Sequence, residues 1–448
     1  MSLKNKINHS NPFLLWRIRE MGFALLLLAG SSACSKHHDE LADVPAERTV
    51  ILYFSAENSI ATFGNTDVNE IKQGASYLKE GQKMVLFFDY GGTSSIYLFD
   101  RHTPSSASPA YTFATNQDAS DPHTLLTVLN WAKVHAPAME YGMVFWSHAD
   151  GWLLPFNTDY EASTPSSSAQ SKALNGPSRK AQSFGIDDGY PRRFPTDMGT
   201  NMSIPDLAAA LQNSGLNFRY VYFDACSMQG LEVAYDLRHA TDYVIASPMS
   251  TPADGAYYID QIQKGLFSAD PADIARTYMD DVKSKTGNTY GTYGQGAVIA
   301  ALKTELLDSL AHITALMLKR NGVGANYEYP TMDGVQAYCA YSPQIFYRPD
   351  YFDAAQAMRK LLSPADAEAW CQLFDQIVVY KDGTSYFYAF APYNSGYFSL
   401  QEGYSGVNLF VPQKKYTDYA NLCLYGDLNE AFRCTSWYKA AGWQDLGF

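Results

Sequence analysis

Two apolar runs, Met143-Val144-Phe145-Trp146 and Tyr220-Val221-Tyr222-Phe223, pass directly into residues that carry chemistry: Ser147-His148 after the first, Asp224-Ala225-Cys226 after the second. Both runs are short, unbroken by polar residues and rich in β-branched or aromatic side chains, the pattern of strands buried on both faces of a parallel sheet. Neighbouring parallel strands end at the same sheet edge. The pattern therefore predicts that His148 and Cys226 emerge side by side at the carboxyl edge, where open α/β sheets bind their ligands. Cys226 is further expected to open a turn into a helix whose N-terminal dipole favours the thiolate. Either residue alone reads as packing; together they put an imidazole beside a thiol, as nucleophilic sulfur chemistry requires.

The rest of the chain supplies a sheet to carry them. Thr49–Phe54, Met84–Phe88 (ending at Asp89), Tyr243–Ala246 and Gly296–Ala300 read as strands. Helical patterns separate them: Asn65–Lys79, a helix opened by Asp121-Pro122-His123 with a stripe at Leu125, Leu126, Leu129 and Trp131, and further segments at 204–211, 231–237 and 303–320. Such alternation implies a mostly parallel, three-layer α/β/α sandwich. At 448 residues the chain should form one large elaborated domain or two packed ones, with a core over 49–260 and residues 261–448 completing or flanking it. Tyr386–Phe390 reads as an edge strand or a substrate-side wall. Residues 160–182, rich in Ser, Ala and Pro, have no periodicity and read as a mobile loop that carries Lys172, Arg179 and Lys180.

The N-terminus reads as an export signal. Lys4, Lys6, Arg17 and Arg19 precede an apolar Phe23–Ala29 core and a small-residue stretch that runs into Cys34. This resembles a bacterial lipoprotein signal, which implies removal of residues 1–33, lipidation of Cys34, a short linker to residue 48 and a membrane as partner. Loss of four basic residues and Glu20 takes the formal charge from −13 to about −16. So acidic a body excludes nucleic acid as partner and suits a basic or neutral one. Cys339, Cys371, Cys423 and Cys434 can form disulfides in an exported chain or stay as buried thiols. No Cys-x-x-Cys or His-rich spacing is present, so neither a metal site nor a cofactor is expected.

The segments Trp146-Ser147-His148-Ala149-Asp150-Gly151-Trp152, Phe223-Asp224-Ala225-Cys226-Ser227-Met228-Gln229-Gly230 and Thr251-Pro252-Ala253-Asp254-Gly255 resemble the clostripain family of cysteine peptidases, within the caspase-like group. Gly185-Ile186-Asp187-Asp188 extends the likeness, which covers roughly residues 48–260. The resemblance implies a caspase-like fold and an endopeptidase that cleaves protein or peptide after Arg or Lys. Cys226 would be the nucleophile and His148 its acid, with the amides of Ala149 and Cys226 as oxyanion donors. Asp224, Asp254 and Thr251 would bind substrate, and Lys172, Arg179 or Lys180 would be the site of maturation cleavage. Calcium dependence varies in the family and stays open here, although no loop has the oxygen-ligand spacing of a calcium site. Ala149 stands where the family has Gly, and Pro248-Met249 where it is polar, so a catalytically silent lipoprotein that binds peptide or glycan is the alternative.

Overall fold

The computed structural model describes residues 46–153, 184–191, 199–286, 296–339, 350–389, 396–420 and 426–447. Residues from Pro45 onward form one compact unit. Its centre is a nine-stranded sheet. In chain order the strands of the molecule are β1 (Ala46–Ser55), β2 (Gln82–Tyr90), β3 (Thr93–Phe99), β4 (Tyr111–Thr112), β5 (Ala138–Trp146), β6 (Phe184–Asp187), β7 (Thr200–Met202), β8 (Phe218–Asp224), β9 (Tyr243–Ala246), β10 (Val298–Lys303), β11 (Phe352–Asp353), β12 (Val378–Gly383), β13 (Tyr386–Ala389), β14 (Gly396–Ser399) and β15 (Asn408–Leu409).

The sheet runs β12-β10-β9-β8-β5-β1-β2-β3-β4. Its five middle strands are parallel, and antiparallel strands extend both edges: β3 and β4 on one side, β10 and β12 on the other. Residues beyond 260 thus supply two strands of the same sheet. The mostly parallel α/β/α architecture expected from the sequence is present.

Alternation along the strands fills two cores. Ile51, Tyr53, Phe87, Phe145 and Phe223 pack on one face against helices Pro122–His135, Ile204–Ser214, Leu231–Leu237 and Leu307–Arg320. Leu52, Phe54, Leu86, Trp146 and Tyr222 pack on the other against helices Ala61–Gly74 and Ala272–Thr286. The central strands β8 and β9 are buried on both sides, which is why their sequences are almost continuously apolar. The helix Pro122–His135 starts at an Asp121 side-chain cap as expected, but it buries Leu125, Val128, Leu129 and Ala132; Leu126 and Trp131 lie at its margin.

Close approach fixes the central register. A Cβ on Gly142 of β5 would lie 2.2 Å from the Tyr220 ring of β8, and one on Gly64 would lie 2.8 Å from the Trp146 indole. Tyr220 is anchored in turn by its hydroxyl, which donates to Leu266 O at 2.8 Å. Tyr386–Ala389 forms a separate two-stranded hairpin with β14. Among the described residues no helix is long and apolar enough to cross a membrane, and Cys226, Cys371 and Cys434 are free thiols.

Candidate active site

Trp146, the last residue of β5, lies opposite Asp224, the last residue of β8. His148 and Cys226 each stand two residues beyond that pair, so equal extension from one register position delivers both to the carboxyl edge of the sheet. His148 and Cys226 are half-buried. Side-chain contacts hold each of them. Ser59 Oγ lies 2.9 Å from His148 Nε2, and Ser59 follows Asn58, whose Nδ2 donates to Ser55 O at 2.9 Å, to Ile186 O at 3.0 Å and to Ser147 Oγ at 3.1 Å. The Thr251 amide donates to Cys226 Sγ at 3.3 Å, and the Thr251 hydroxyl lies 3.6 Å from the same sulfur.

The expected helix dipole is absent from the thiol. The helix Leu231–Leu237 starts five residues after Cys226, with Gly230 as its cap. What intervenes is a turn built on Ser227, a non-glycine residue at φ 61°. The turn is tied on several sides: Ser227 N donates to Met249 O at 2.8 Å and Gln229 N to Ser247 O at 2.9 Å, while Asn408 Nδ2 donates to Pro248 O at 3.0 Å and Ser227 O at 3.4 Å. Pro248-Met249 therefore braces the turn after Cys226, with Met249 fully buried. A left-handed non-glycine residue costs on the order of 1 kcal/mol, and such strain persists where the surroundings over-determine the backbone.

Ala149 is accommodated without strain. It forms an antiparallel bridge with Phe184, closed by Gly185 N donating to His148 O at 3.0 Å. A bridge closed by flanking residues leaves the amide of Ala149 itself outside the pairing. The positive-φ non-glycine residues described are Ser227, Tyr327 and Tyr351, so Ala149 has an ordinary backbone in which a Cβ is tolerated. The left-handed position falls at Gly151, φ 68°, whose Cβ would lie 2.8 Å from Ser227 O.

Beside Cys226 lies a group of carboxyls. Asp224 is buried and accepts from Ala256 N at 3.1 Å and Tyr258 Oη at 3.0 Å. Burial pushes its pKa up to about 6, with Asp254 adding repulsion. Gly255, between Asp254 and Ala256, has φ 52°, and a Cβ there would lie 2.7 Å from Asp224 Oδ2. Asp67 and Glu70 on the helix Ala61–Gly74 complete the group. Burial pushes Asp67 up to about 9 and also raises Glu70, and both feel the Asp224 charge. Glu70 Oε2 accepts from Tyr258 N at 2.9 Å. Sequence reasoning missed Ser59, Asp67, Glu70 and Asn408, none of which belongs to a local motif. Lys172, Arg179, Lys180, Cys34 and Cys423 lie outside the described residues.

The C-terminal part reaches the same edge. Asn408 N donates to Gln229 O at 2.8 Å, and Phe410 N donates to the buried Glu232 at 2.8 Å. Tyr351 Oη donates to Asp150 O, two residues past His148. Tyr351 and Asn408 thus brace the His148 and the Cys226 segments respectively.

The chain matches the model of the clostripain family, peptidase family C11, over residues 52–164 and 194–446. A secreted C11 cysteine protease from Bacteroides thetaiotaomicron, solved with an irreversible peptide inhibitor, is similar at 25% identity over 89% of this chain and 99% of its own, with a TM-score of 0.69. An inactive zymogen C11 protease from Parabacteroides distasonis shares the fold at 23% identity, over 89% of this chain and 98% of its own, with a TM-score of 0.65. A secreted C11 cysteine protease from Bacteroides thetaiotaomicron called iotapain shares it at 21% identity, over 89% of this chain and all of its own, with a TM-score of 0.66. No curated protein matches the chain.

Proposed function

The chain belongs to the clostripain family of cysteine peptidases, and from that premise we propose that it is an exported endopeptidase that cleaves after Arg or Lys with Cys226 and His148 as its dyad. The observation that carries the reading is the pairing of Trp146 with Asp224, which brings both residues to one sheet edge.

In this reading the Cys226 sulfur attacks the scissile carbonyl carbon, and the carbonyl electron pair becomes an oxyanion near the amides of Ala149 and Cys226. With Nε2 bonded to Ser59, Nδ1 of His148 handles the proton. As the intermediate collapses, the C–N bond breaks, the leaving amine takes the proton from His148, and an acyl-thioester remains on Cys226. Water then attacks the thioester, His148 accepts its proton, and the acid product leaves as the thiol reforms. Thr251, whose amide meets the sulfur, holds the nucleophile, a role closer to the chemistry than the substrate contact expected from the sequence.

Asp224 and Asp254 supply the preference for a basic residue. Two carboxylates in a desolvated pocket favour a guanidinium or ammonium over a neutral side chain. Lys172, Arg179 and Lys180 are the candidate sites of maturation cleavage, which would separate the His148 and Cys226 segments into two chains. Export rests on the N-terminal signal pattern and on the secreted relative from Bacteroides thetaiotaomicron, and attachment to a membrane on Cys34. The test is a panel of peptidyl-aminomethylcoumarins with Arg, Lys, Leu or Asp at the cleaved position, with and without a thiol alkylator. Alkylator-sensitive release from Arg and Lys alone is expected; equal release from Leu, or none from any of the four, would overturn the preference.

A further inference from the structure

Behind the turn that follows Cys226, two buried side-chain oxygens lack hydrogen-bond partners among the described residues: Glu232 Oε2 and Asn408 Oδ1. Glu232, in the first turn of the helix Leu231–Leu237, is fully buried. Its Oε1 accepts from Phe410 N at 2.8 Å. Asn408 is also fully buried. Its Nδ2 donates to the carbonyls of Pro248 and Ser227, which fixes the orientation of the amide, since a flipped group would set oxygen against two oxygens. Oδ1 is thereby turned the other way.

The two oxygens face the same point. A Cβ on Gly230 would stand 2.5 Å from Asn408 Oδ1 and 3.2 Å from Glu232 Oε2, so a glycine is what leaves room for both. Each oxygen is short of a donor, and a buried acceptor without one carries its full desolvation penalty. A carboxylate supplies no hydrogen. A carboxylic acid does: it accepts at one oxygen and donates at the other, the two roles that Phe410 N and Asn408 Oδ1 require.

We propose that Glu232 is a positioning residue held as a neutral carboxylic acid, which donates from Oε2 to Asn408 Oδ1 and so locks the amide that ties down the turn after Cys226. Its surroundings favour the neutral form. Burial pushes Glu232 up to about 8, and the charge that reaches it, from Asp236 on the same helix, repels a second one. The other elements packed on that helix direct their charges elsewhere: Asp206 is engaged by Ser203, Asp308 by Arg238 and Arg320 by Asp366, while His312, Lys319 and Lys439 are exposed and β15 has no ionisable side chain. Loss of the proton at high pH sets a charge against Asn408 Oδ1 and loosens the amide's hold on the turn. Only the effect on activity rests on the peptidase reading; the protonation itself does not.

The test compares purified wild type with Glu232→Gln, whose amide also accepts at one atom and donates at the other. Difference infrared spectra at pH 6.5 should show a protonated-carboxyl C=O band in wild type that the variant lacks and that disappears between pH 7 and 9. The variant should melt no lower than wild type at pH 6.5, and higher at pH 9. On an Arg-aminomethylcoumarin peptide its kcat should stay within about threefold of wild type at pH 6.5. The ratio of variant to wild-type kcat should then rise roughly three- to tenfold by pH 9, a comparison in which the titrations of His148 and Cys226 cancel. Absence of the band, or a variant that melts several degrees below wild type at pH 6.5, would overturn the neutral acid whether or not the protein is a peptidase. A kcat ratio independent of pH would overturn the positioning role.

Discussion

Ser59 Oγ and His148 Nε2, 89 residues apart in sequence, lie 2.9 Å apart. The contact occupies Nε2 and so orients the imidazole with Nδ1 left for a second partner, as an orienting group does in other nucleophile–base pairs. Ser59→Ala should lower kcat roughly 10-fold, the worth of one orienting hydrogen bond, with KM unchanged. Ser59→Thr should restore most of it. Steady-state kinetics on an Arg substrate decide; a change confined to KM would assign Ser59 to substrate binding.

Asp254→Asn should raise KM for an Arg substrate by about 10- to 100-fold, the range for a lost charge-assisted contact, and leave kcat nearly unchanged. Its neighbour Asp224 titrates near pH 6, so the pocket loses charge as pH falls. Affinity for benzamidine, measured on Cys226→Ala so that no chemistry intrudes, should therefore weaken about tenfold per unit below pH 6. A flat profile between pH 4.5 and 7 would separate Asp224 from cation binding.

Asn408→Ala should cost about 2–3 kcal/mol, because the Asn408 amide satisfies two carbonyls at the turn after Cys226, and buried acceptors without donors carry the full desolvation penalty. Asn408→Asp should be worse, since it turns a carboxylate oxygen toward those carbonyls. Denaturant midpoints give the stability, and kcat reports whether the turn at Cys226 has loosened. Equal stability of wild type and both variants would contradict the brace.

Burial raises Asp67 to about 9, Glu232 to about 8 and Asp224 to about 6. In the unfolded chain these groups titrate near 4, so the folded state holds their protons more tightly. The stability this confers is complete below pH 4 and is lost as pH rises through the folded-state values. Tm should therefore fall between pH 5 and 9, and more slowly in Glu232→Gln. A Tm that rises over this window would show that other groups dominate.

The parallel centre of the fold was readable because strands buried on both faces cannot carry polar residues: β5, β8 and β9 announce themselves. The outer antiparallel strands β3 and β12 did not, since Thr93–Phe99 and Val378–Gly383 mix polar and apolar residues. At the site, the two chemistry-bearing segments were legible because each sits directly at a strand end. Their supports were not. Asn408 meets the Cys226 turn from about 180 residues away, and Asp67 and Glu70 lie on a helix whose sequence reads as an ordinary polar–apolar mix. The helix-dipole expectation failed for a local reason: Ser227–Gly230 inserts a strained turn between thiol and helix.

The most direct measurement is the hydrolysis of an Arg-aminomethylcoumarin peptide by Cys226→Ala, His148→Ala and the double variant. If the register of Trp146 with Asp224 builds one dyad, each single variant should lose at least ~10³-fold in kcat, and the double should be no worse than the more damaging single. Retention of a tenth or more of wild-type activity by either single variant, or losses that multiply in the double, would contradict a Cys226–His148 dyad.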